Sequence, residues 1–341
     1  MIFPIVRRAL FSAAILFAGN LSAQSPFQFP TANHALFSPG AELKFFAPTA
    51  PDKPWTSGSF GCVRTSKYGP RMHEGLDILH QHTDRRGEPT DAVLATADGT
   101  VCYASNKPGL SNYGRYLVIQ HQVEGIEIYS LYAHLSAIAP GIASGQRVKA
   151  GETIATMGRT STPEVIAKDR AHLHFELNLF TNDRFAAWFK QNAPGERNDH
   201  GSWNGQNLDG LDAREILLAE RPGGKKFSLL NFLGSQRELC RVQVRAKDFP
   251  FLKRYAPLVL KNLVAEKAGV AGYEIALNYN GVPFALLPRA ESEMKSRAKI
   301  FLLDVNEAIE KANPCRKLVA QRGGHWQLTD KGRREIELLV F

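Results

Sequence analysis

Between residues 99 and 158 glycine recurs at 99, 109, 114, 125, 141, 145, 151 and 158, and the runs it separates are rich in β-branched and aromatic residues. Gly99-Thr-Val-Cys-Tyr-Ala, Tyr116-Leu-Val-Ile-Gln-His and Glu127-Ile-Tyr-Ser-Leu-Tyr-Ala-His have the length of strands and no helical spacing. A chain punctuated this often has room for strands and turns but not for long helices. The expectation is a mainly β domain built on an antiparallel sheet over residues 55–233. Short helices are expected near its end, at Phe185-Ala-Ala-Trp-Phe-Lys and after the N-cap Asp212.

Outside that block the character changes. Residues 24–54 are rich in Pro, Phe, Ala and Thr without a period, and read as an arm that packs on the following domain. Residues 234–341 read as a separate α+β domain with no role legible in them. Phe251 to Lys267 reads as mostly helical, Asn280-Gly281 is a hairpin signal, Glu291 to Ala312 reads as one amphipathic helix, and Gly323-Gly324 suggests a second hairpin.

The N-terminus carries the marks of a signal peptide over residues 1–23. Arg7 and Arg8 precede an apolar run from Ala9 to Ala18, too short for a comfortable membrane span, and Leu21-Ser22-Ala23 offers small residues for cleavage. The expected protein is exported, to a periplasm or an extracellular envelope, with no stable membrane span once the leader is removed. A net charge of +9 suits anionic surfaces such as cell-wall polymers. No dense basic stretch with interleaved aromatics is present, so nucleic acid is not an expected partner. The four cysteines, at 62, 102, 240 and 315, form an even set in an oxidising destination, which favours disulfides. They fall two and two across the expected domain border, which suggests Cys62–Cys102 and Cys240–Cys315.

The chemistry sits in two short motifs, His73-Glu-Gly-Leu-Asp77 and His172-Leu-His174. Both spacings are even, so on extended strands each motif would put its members on one face of a sheet. Two imidazoles and a carboxylate make a three-ligand zinc site with the fourth position open, the pattern of catalytic zinc. Such a metal lowers the pKa of a bound water and polarises a carbonyl, and peptide hydrolysis needs both. It also needs a proton carrier and a donor for the oxyanion, and His134 and His172 fit those two tasks.

With Phe60-Gly61 ahead of the first motif, and Ala97-Asp-Gly-Thr-Val, Tyr113-Gly-Arg-Tyr-Leu-Val-Ile, Leu131-Tyr-Ala-His-Leu-Ser, Gly145-Gln-Arg-Val-Lys-Ala-Gly-Glu-Thr-Ile and His172-Leu-His-Phe-Glu in that order, the stretch from 57 to 180 resembles the lysostaphin-type zinc endopeptidases. The resemblance implies one Zn2+ per chain on His73, Asp77 and His174, catalytic roles for His134 and His172, and a peptidoglycan stem or cross-link as substrate. Two insertions depart from the family, one after Asp77 (His80-Gln-His-Thr-Asp-Arg-Arg-Gly) and one before His172 (Thr160 to Ala171). Both are expected near the groove, where they bear on substrate preference.

Other candidates carry plainer readings. His80 and His82 read as loop residues, His121 as a hydrogen-bonded structural residue, and Glu176 as a strand residue. Tyr68 is a less favoured oxyanion donor. Lys168 and Arg170 read as solvated charges, and His200 and Trp203 belong to a polar loop that could wall the groove. Two rival functions stand beside the peptidase. One is a non-catalytic regulator or wall-binding protein using the same groove; the other is a zinc endopeptidase acting on a protein. Oligomeric state is not legible.

Overall fold

The computed structural model describes residues 26–50, 52–221 and 227–341. The leader expected at 1–23 lies outside the described residues. Strands β1 (Gly61–Ser66) and β2 (Gly69–His73) form a hairpin, and β3 (Leu76–Leu79) follows after a two-residue turn. The strands β4 (Ala92–Leu94), β5 (Gly99–Ser105), β6 (Arg115–Val123), β7 (Ile126–Leu135), β8 (Ala137–Ile138), β9 (Arg147–Val148), β10 (Thr153–Thr156), β11 (His172–Phe180) and β12 (Leu208–Leu211) complete the first half. They assemble into an antiparallel sheet of order β12-β11-β7-β6-β5-β9, and β4, β10 and β8 make a small second sheet. The expected mainly antiparallel β fold is what the chain adopts.

Strand β11 is the hub. It is buried along its whole length, pairing with β7 on one side and, on the other, with β3 at its start and β12 at its end. Alternation explains how one strand serves two environments. Leu173, Phe175, Leu177 and Leu179 enter the main core with Leu117, Ile119 and Tyr132. His172, His174, Glu176 and Asn178 occupy the other face, which grades into a second apolar cluster around Tyr116, Tyr129, Leu131 and Phe180. Each of the fully buried Leu and Phe side chains contributes about 1.5–3 kcal/mol relative to exposure, so the apolar face fixes the register that aims the polar one.

The N-terminal arm packs through Phe27, Phe29, Phe45 and Phe46, all buried. Phe46 bridges to Ile78, and the Ala47 amide donates to the Asp77 carbonyl, so the arm lies along β3.

The last third holds a four-stranded antiparallel sheet of β13 (Glu238–Val244), β14 (Gly272–Asn278), β15 (Pro283–Arg289) and β16 (Ile300–Val305), in the order β15-β14-β13-β16. A hairpin of β17 (Val319–Arg322) and β18 (His325–Leu328) precedes a terminal helix, Asp330–Leu339. Both hairpin signals appear where the sequence puts them. Gly281 has φ 91°, and Gly323 and Gly324 have φ 58° and 80°, backbone that glycine adopts at no steric cost.

Two expectations are corrected. Glu291 to Ala312 is not one helix: it is a short turn at Glu291–Glu293, then strand β16, then a helix at Glu307–Ala312. Pairing with β13 from Cys240↔Val305 to Val244↔Ile300 overrides the local helical spacing, because an unpaired edge of β13 would leave its amides and carbonyls without partners. The disulfide is Cys62–Cys315, with Cα atoms 5.5 Å apart, and it joins the two halves the expected pairs would have kept separate. Cys102 and Cys240 are free thiols, and burial pushes them up to about 11 and about 12, far from the reactive thiolate form.

Candidate functional site

His73 and Asp77 do not share a continuous strand. His73 ends β2 and Asp77 lies in β3, with Glu74-Gly75 turning the chain between them. Gly75 is required by close packing: a Cβ there would stand 2.6 Å from the Phe175 carbonyl oxygen and 2.9 Å from His174 Cε1. His174 is brought opposite Asp77 by the β11–β3 register. The expected strand-face geometry therefore holds for His172 and His174, while a tight turn delivers the first motif.

Three donor atoms converge. His73 Nε2 lies 3.1 Å from Asp77 Oδ1 and 3.1 Å from His174 Nδ1, and His174 Nδ1 lies 3.0 Å from Asp77 Oδ1. All three residues are buried. The hydrogen bonds fix which ring atoms are free. His73 Nδ1–H donates to the Ser59 carbonyl at 2.8 Å, leaving Nε2 with its lone pair. His174 Nε2 faces Glu176 Oε1 at 2.7 Å and donates to it, leaving Nδ1. Adjacent donors around a tetrahedral zinc with bonds of about 2.0–2.1 Å are about 3.3 Å apart. The donor types, tautomers and spacing fit such an ion.

The other two imidazoles stand beside this group. The His134 ring centroid lies 4.9 Å from that of His172 and 5.8 Å from that of His174. His172 Nε2 is 3.4 Å from Asp77 Oδ1. Regular alternation would send His134 to the opposite face from Ala133, which pairs with His174. His134 instead adopts φ 62°, a rare conformation for a non-glycine residue, and this turns its ring into the site. Its Nδ1 donates to the Thr160 carbonyl at 2.9 Å, and His172 Nδ1 donates to the Arg170 carbonyl at 2.7 Å. Both rings thus present Nε2 as a bare acceptor. Burial lowers both below the usual histidine range; for His134 the neighbouring imidazoles add to this, whereas for His172 the Asp77 charge opposes it.

Three residues complete the electrostatics. Arg64, on β1, donates through Nη2 to Asp77 Oδ2, the oxygen turned away from the imidazoles, and lies 2.9 Å from His73 Nε2. Asp77 is held well below the carboxylate range: burial works against its charge, and His172, His73 and Arg64 outweigh it. His174 is raised to about 9, because its bonds to Asp77 and Glu176 overcome the cost of burial, so a proton leaves Nδ1 when that atom serves as a metal ligand. Glu176 also accepts from Tyr113 OH at 3.1 Å and Asn178 Nδ2 at 3.0 Å. The plain strand reading of Glu176 missed this contact, although its i+2 spacing from His174 carried the signal. Arg64 and Tyr113 had no such signal at short range.

The cleft over these groups has a volume of about 240 Å³ and is walled by Pro48 and Thr49 of the arm, Asn112 and Tyr113, and Ser161, Ile166 and Arg170 of the second insertion. Arg170 donates to the Thr49 carbonyl, so it is a wall residue rather than a solvated charge. The first insertion backs the second: Lys168 donates to the Arg86 carbonyl at 2.6 Å, and Glu88, just past the first insertion, pairs with Arg159 at 2.7 Å and Lys168 at 3.3 Å. His80 donates to the Ala171 carbonyl and His82 contacts Asp91, both in the loop as expected. His121 is a buried structural residue, bonded to the Asp98 carbonyl and Ser130 Oγ. Tyr68 stands exposed at the tip of the β1–β2 hairpin and does not line the cleft over the imidazoles. His200 and Trp203 pack on the aromatic cluster, His200 against Tyr103 and Tyr116, Trp203 against Tyr129 and Phe180.

Residues 71–185 match the model of peptidase family M23. The chain is 39% identical over 107 residues to the lipoprotein NlpD/LppB homolog of Pseudomonas aeruginosa, an overlap of 31% of this chain and 29% of that protein. It is 39% identical over 105 residues to the murein hydrolase activator NlpD of Escherichia coli, covering 31% and 22%. With lipoprotein NlpD of Yersinia enterocolitica it shares 38% identity over 92 residues, 27% of this chain and 78% of that one. The chain thus spans less than a third of the first two relatives. Among solved structures, a zinc-containing peptidase from Vibrio cholerae is 25% identical with a TM-score of 0.30, covering 45% of this chain and 37% of that one. The catalytic domain of lysostaphin from Staphylococcus simulans is 25% identical with a TM-score of 0.26, covering 35% and 75%. With its His-Asp-His donor group and both neighbouring histidines inside the matched stretch, the chain belongs to peptidase family M23.

Proposed function

We propose that this exported envelope protein is a zinc endopeptidase hydrolysing peptide bonds in peptidoglycan stems or cross-links. The observation that carries the reading is the convergence of His73 Nε2, Asp77 Oδ1 and His174 Nδ1 within 3.0–3.1 Å of one another, with two further neutral imidazoles at their side. His73, Asp77 and His174 would hold one Zn2+, which when bound supplies a Lewis acid and lowers the pKa of water. Asp77 offsets part of the metal charge, Arg64 holds the second oxygen of Asp77, and Glu176 fixes the tautomer of His174. His134 and His172, locked by carbonyls at Nδ1, take up or return a proton at Nε2. The substrate class follows the family and the relatives' names, which concern lipoproteins and murein hydrolysis.

The test is digestion of purified peptidoglycan, with fragments identified by mass spectrometry, by the native protein and by His134→Ala. Cleavage by the native protein alone, with zinc retained in both, is expected. No cleavage by a zinc-loaded native protein overturns the reading for this substrate.

A second reading, an activator of separate murein hydrolases, has one observation in its favour: Pro48 and Thr49 wall the cleft, and Arg170 ties the insertion to Thr49. It predicts that His174→Ala still stimulates a partner hydrolase while cutting nothing itself.

A further inference from the structure

A second concave surface lies against the tip of the hairpin that carries His73. The groove, about 830 Å³, runs between the β1–β2 tip and the C-terminal hairpin and helix. Lys67 and Arg71 stand on one wall, and Lys317, Arg322 and Lys331 on the other. None of these five forms a salt bridge among the described residues, and the single carboxylate in the lining is Asp330. Arg316 at the base is different: it is already committed to Glu74 and Glu335. The walls face each other closely, for the Lys317 ammonium sits 4.0 Å from where a Cβ on Gly69 would be. Tyr68, 77% exposed, projects beside them with the Lys67 ammonium 5.0 Å from its ring.

Five unpaired cations along one concavity repel each other and focus a positive potential into it. The groove is open, and its cations come from separated stretches of chain. That arrangement suits several anionic groups spaced along an extended ligand rather than one enclosed small ion. Tyr68 is the one exposed aromatic in the lining, too few for the stacking that single-stranded nucleic acid requires.

We propose that this groove is a docking site for a carboxylate-bearing wall polymer, holding glycan-linked stem peptides beside the cleft. The inference rests on the peptidoglycan reading above and gives the C-terminal region a task within it. One wall is the hairpin that supplies Arg64 and His73, so the groove and the site share a structural element.

The experiment is co-sedimentation with purified peptidoglycan stripped of phosphate polymers, in the cold, comparing the native protein, Lys317→Glu/Arg322→Glu and the charge-keeping Lys317→Arg/Arg322→Lys. Expected is a loss of about tenfold in affinity for the charge reversal and near-native binding for the charge-keeping pair. Binding should also fall in about 0.5 M salt and on peptidoglycan whose carboxylates have been amidated. Melting temperature and zinc content, equal across the three proteins, exclude a folding defect. Equal binding by the charge reversal, or undiminished binding to amidated polymer, overturns the proposal, and so does capture by a phosphate polymer alone. Charge-dependent binding without any hydrolysis would leave the groove standing and remove the peptidase reading; hydrolysis with charge-independent binding would do the reverse.

Discussion

Glu176 Oε1 lies 2.7 Å from His174 Nε2, on the next same-face position of one strand, and it turns the other ring nitrogen of His174 toward Asp77 and His73. Carboxylates that orient a metal-binding imidazole typically contribute about 10–100-fold in metal affinity. Glu176→Ala is therefore predicted to weaken zinc binding by that factor, with Glu176→Gln losing less because its amide oxygen still accepts from Nε2–H. A zinc competition titration measures it; unchanged affinity in Glu176→Ala would mean that strand geometry alone orients the ring.

Arg64 reaches Asp77 and also donates from Nε to the Ser57 carbonyl at 3.1 Å, so its fork is anchored at two points. A lysine has one charged centre and cannot repeat this. Both Arg64→Ala and Arg64→Lys should lower unfolding stability, by about 1.5–3 kcal/mol for a lost charge-assisted bond. Chemical denaturation of metal-free protein reads the effect without interference from zinc. Full stability in Arg64→Lys would show that the charge suffices and the fork does not matter.

The site hairpin is also held from outside. Cys62 on β1 is bonded to Cys315, and Arg316 pairs with Glu74, the neighbour of His73, at 3.2 Å. Replacing either cysteine by serine is predicted to cost about 2–5 kcal/mol. Zinc affinity should fall as well, because the hairpin that carries His73 and Arg64 loses its covalent anchor. Denaturant midpoints with and without reductant check this: reductant should move the native protein toward Cys315→Ser and leave Cys315→Ser where it is.

His121 gives a pH signature away from the site. Burial lowers it from 6.5 to about 4, against the bond to the Asp98 carbonyl. The unfolded chain takes up its proton near pH 6.5 and the folded chain only near pH 4, so this residue's stabilisation is complete above 6.5 and is lost as pH falls toward 4. The amount is about 3 kcal/mol. His121→Asn should flatten the fall in stability across that window relative to the native protein. Parallel curves for the two proteins would assign the acid sensitivity to other groups.

What could be read in advance was local. Glycine punctuation and β-branched runs gave the sheet, Gly323-Gly324 gave its hairpin, and the His-Leu-His spacing placed two rings on one face of β11. What could not be read depends on distant partners. Cys62 meets Cys315 only after the whole chain has folded back. Residues 300–305 become a strand because β13 offers an edge. Arg64 enters the site because its hairpin lies against β3, and no short motif links it to Asp77.

The Cys62–Cys315 bond spans 253 residues of sequence, from the strand beside the site to a point near the end of the chain. Synthesis runs from N- to C-terminus, so this closure waits until residue 315 has been made. A product that stops short of residue 315 carries every imidazole of the site but lacks the bolt on their hairpin. Synthesis through residue 315 in an oxidising compartment is thereby a condition for a fully fastened site, and a chain interrupted before it fails by a looser hairpin rather than by a missing residue.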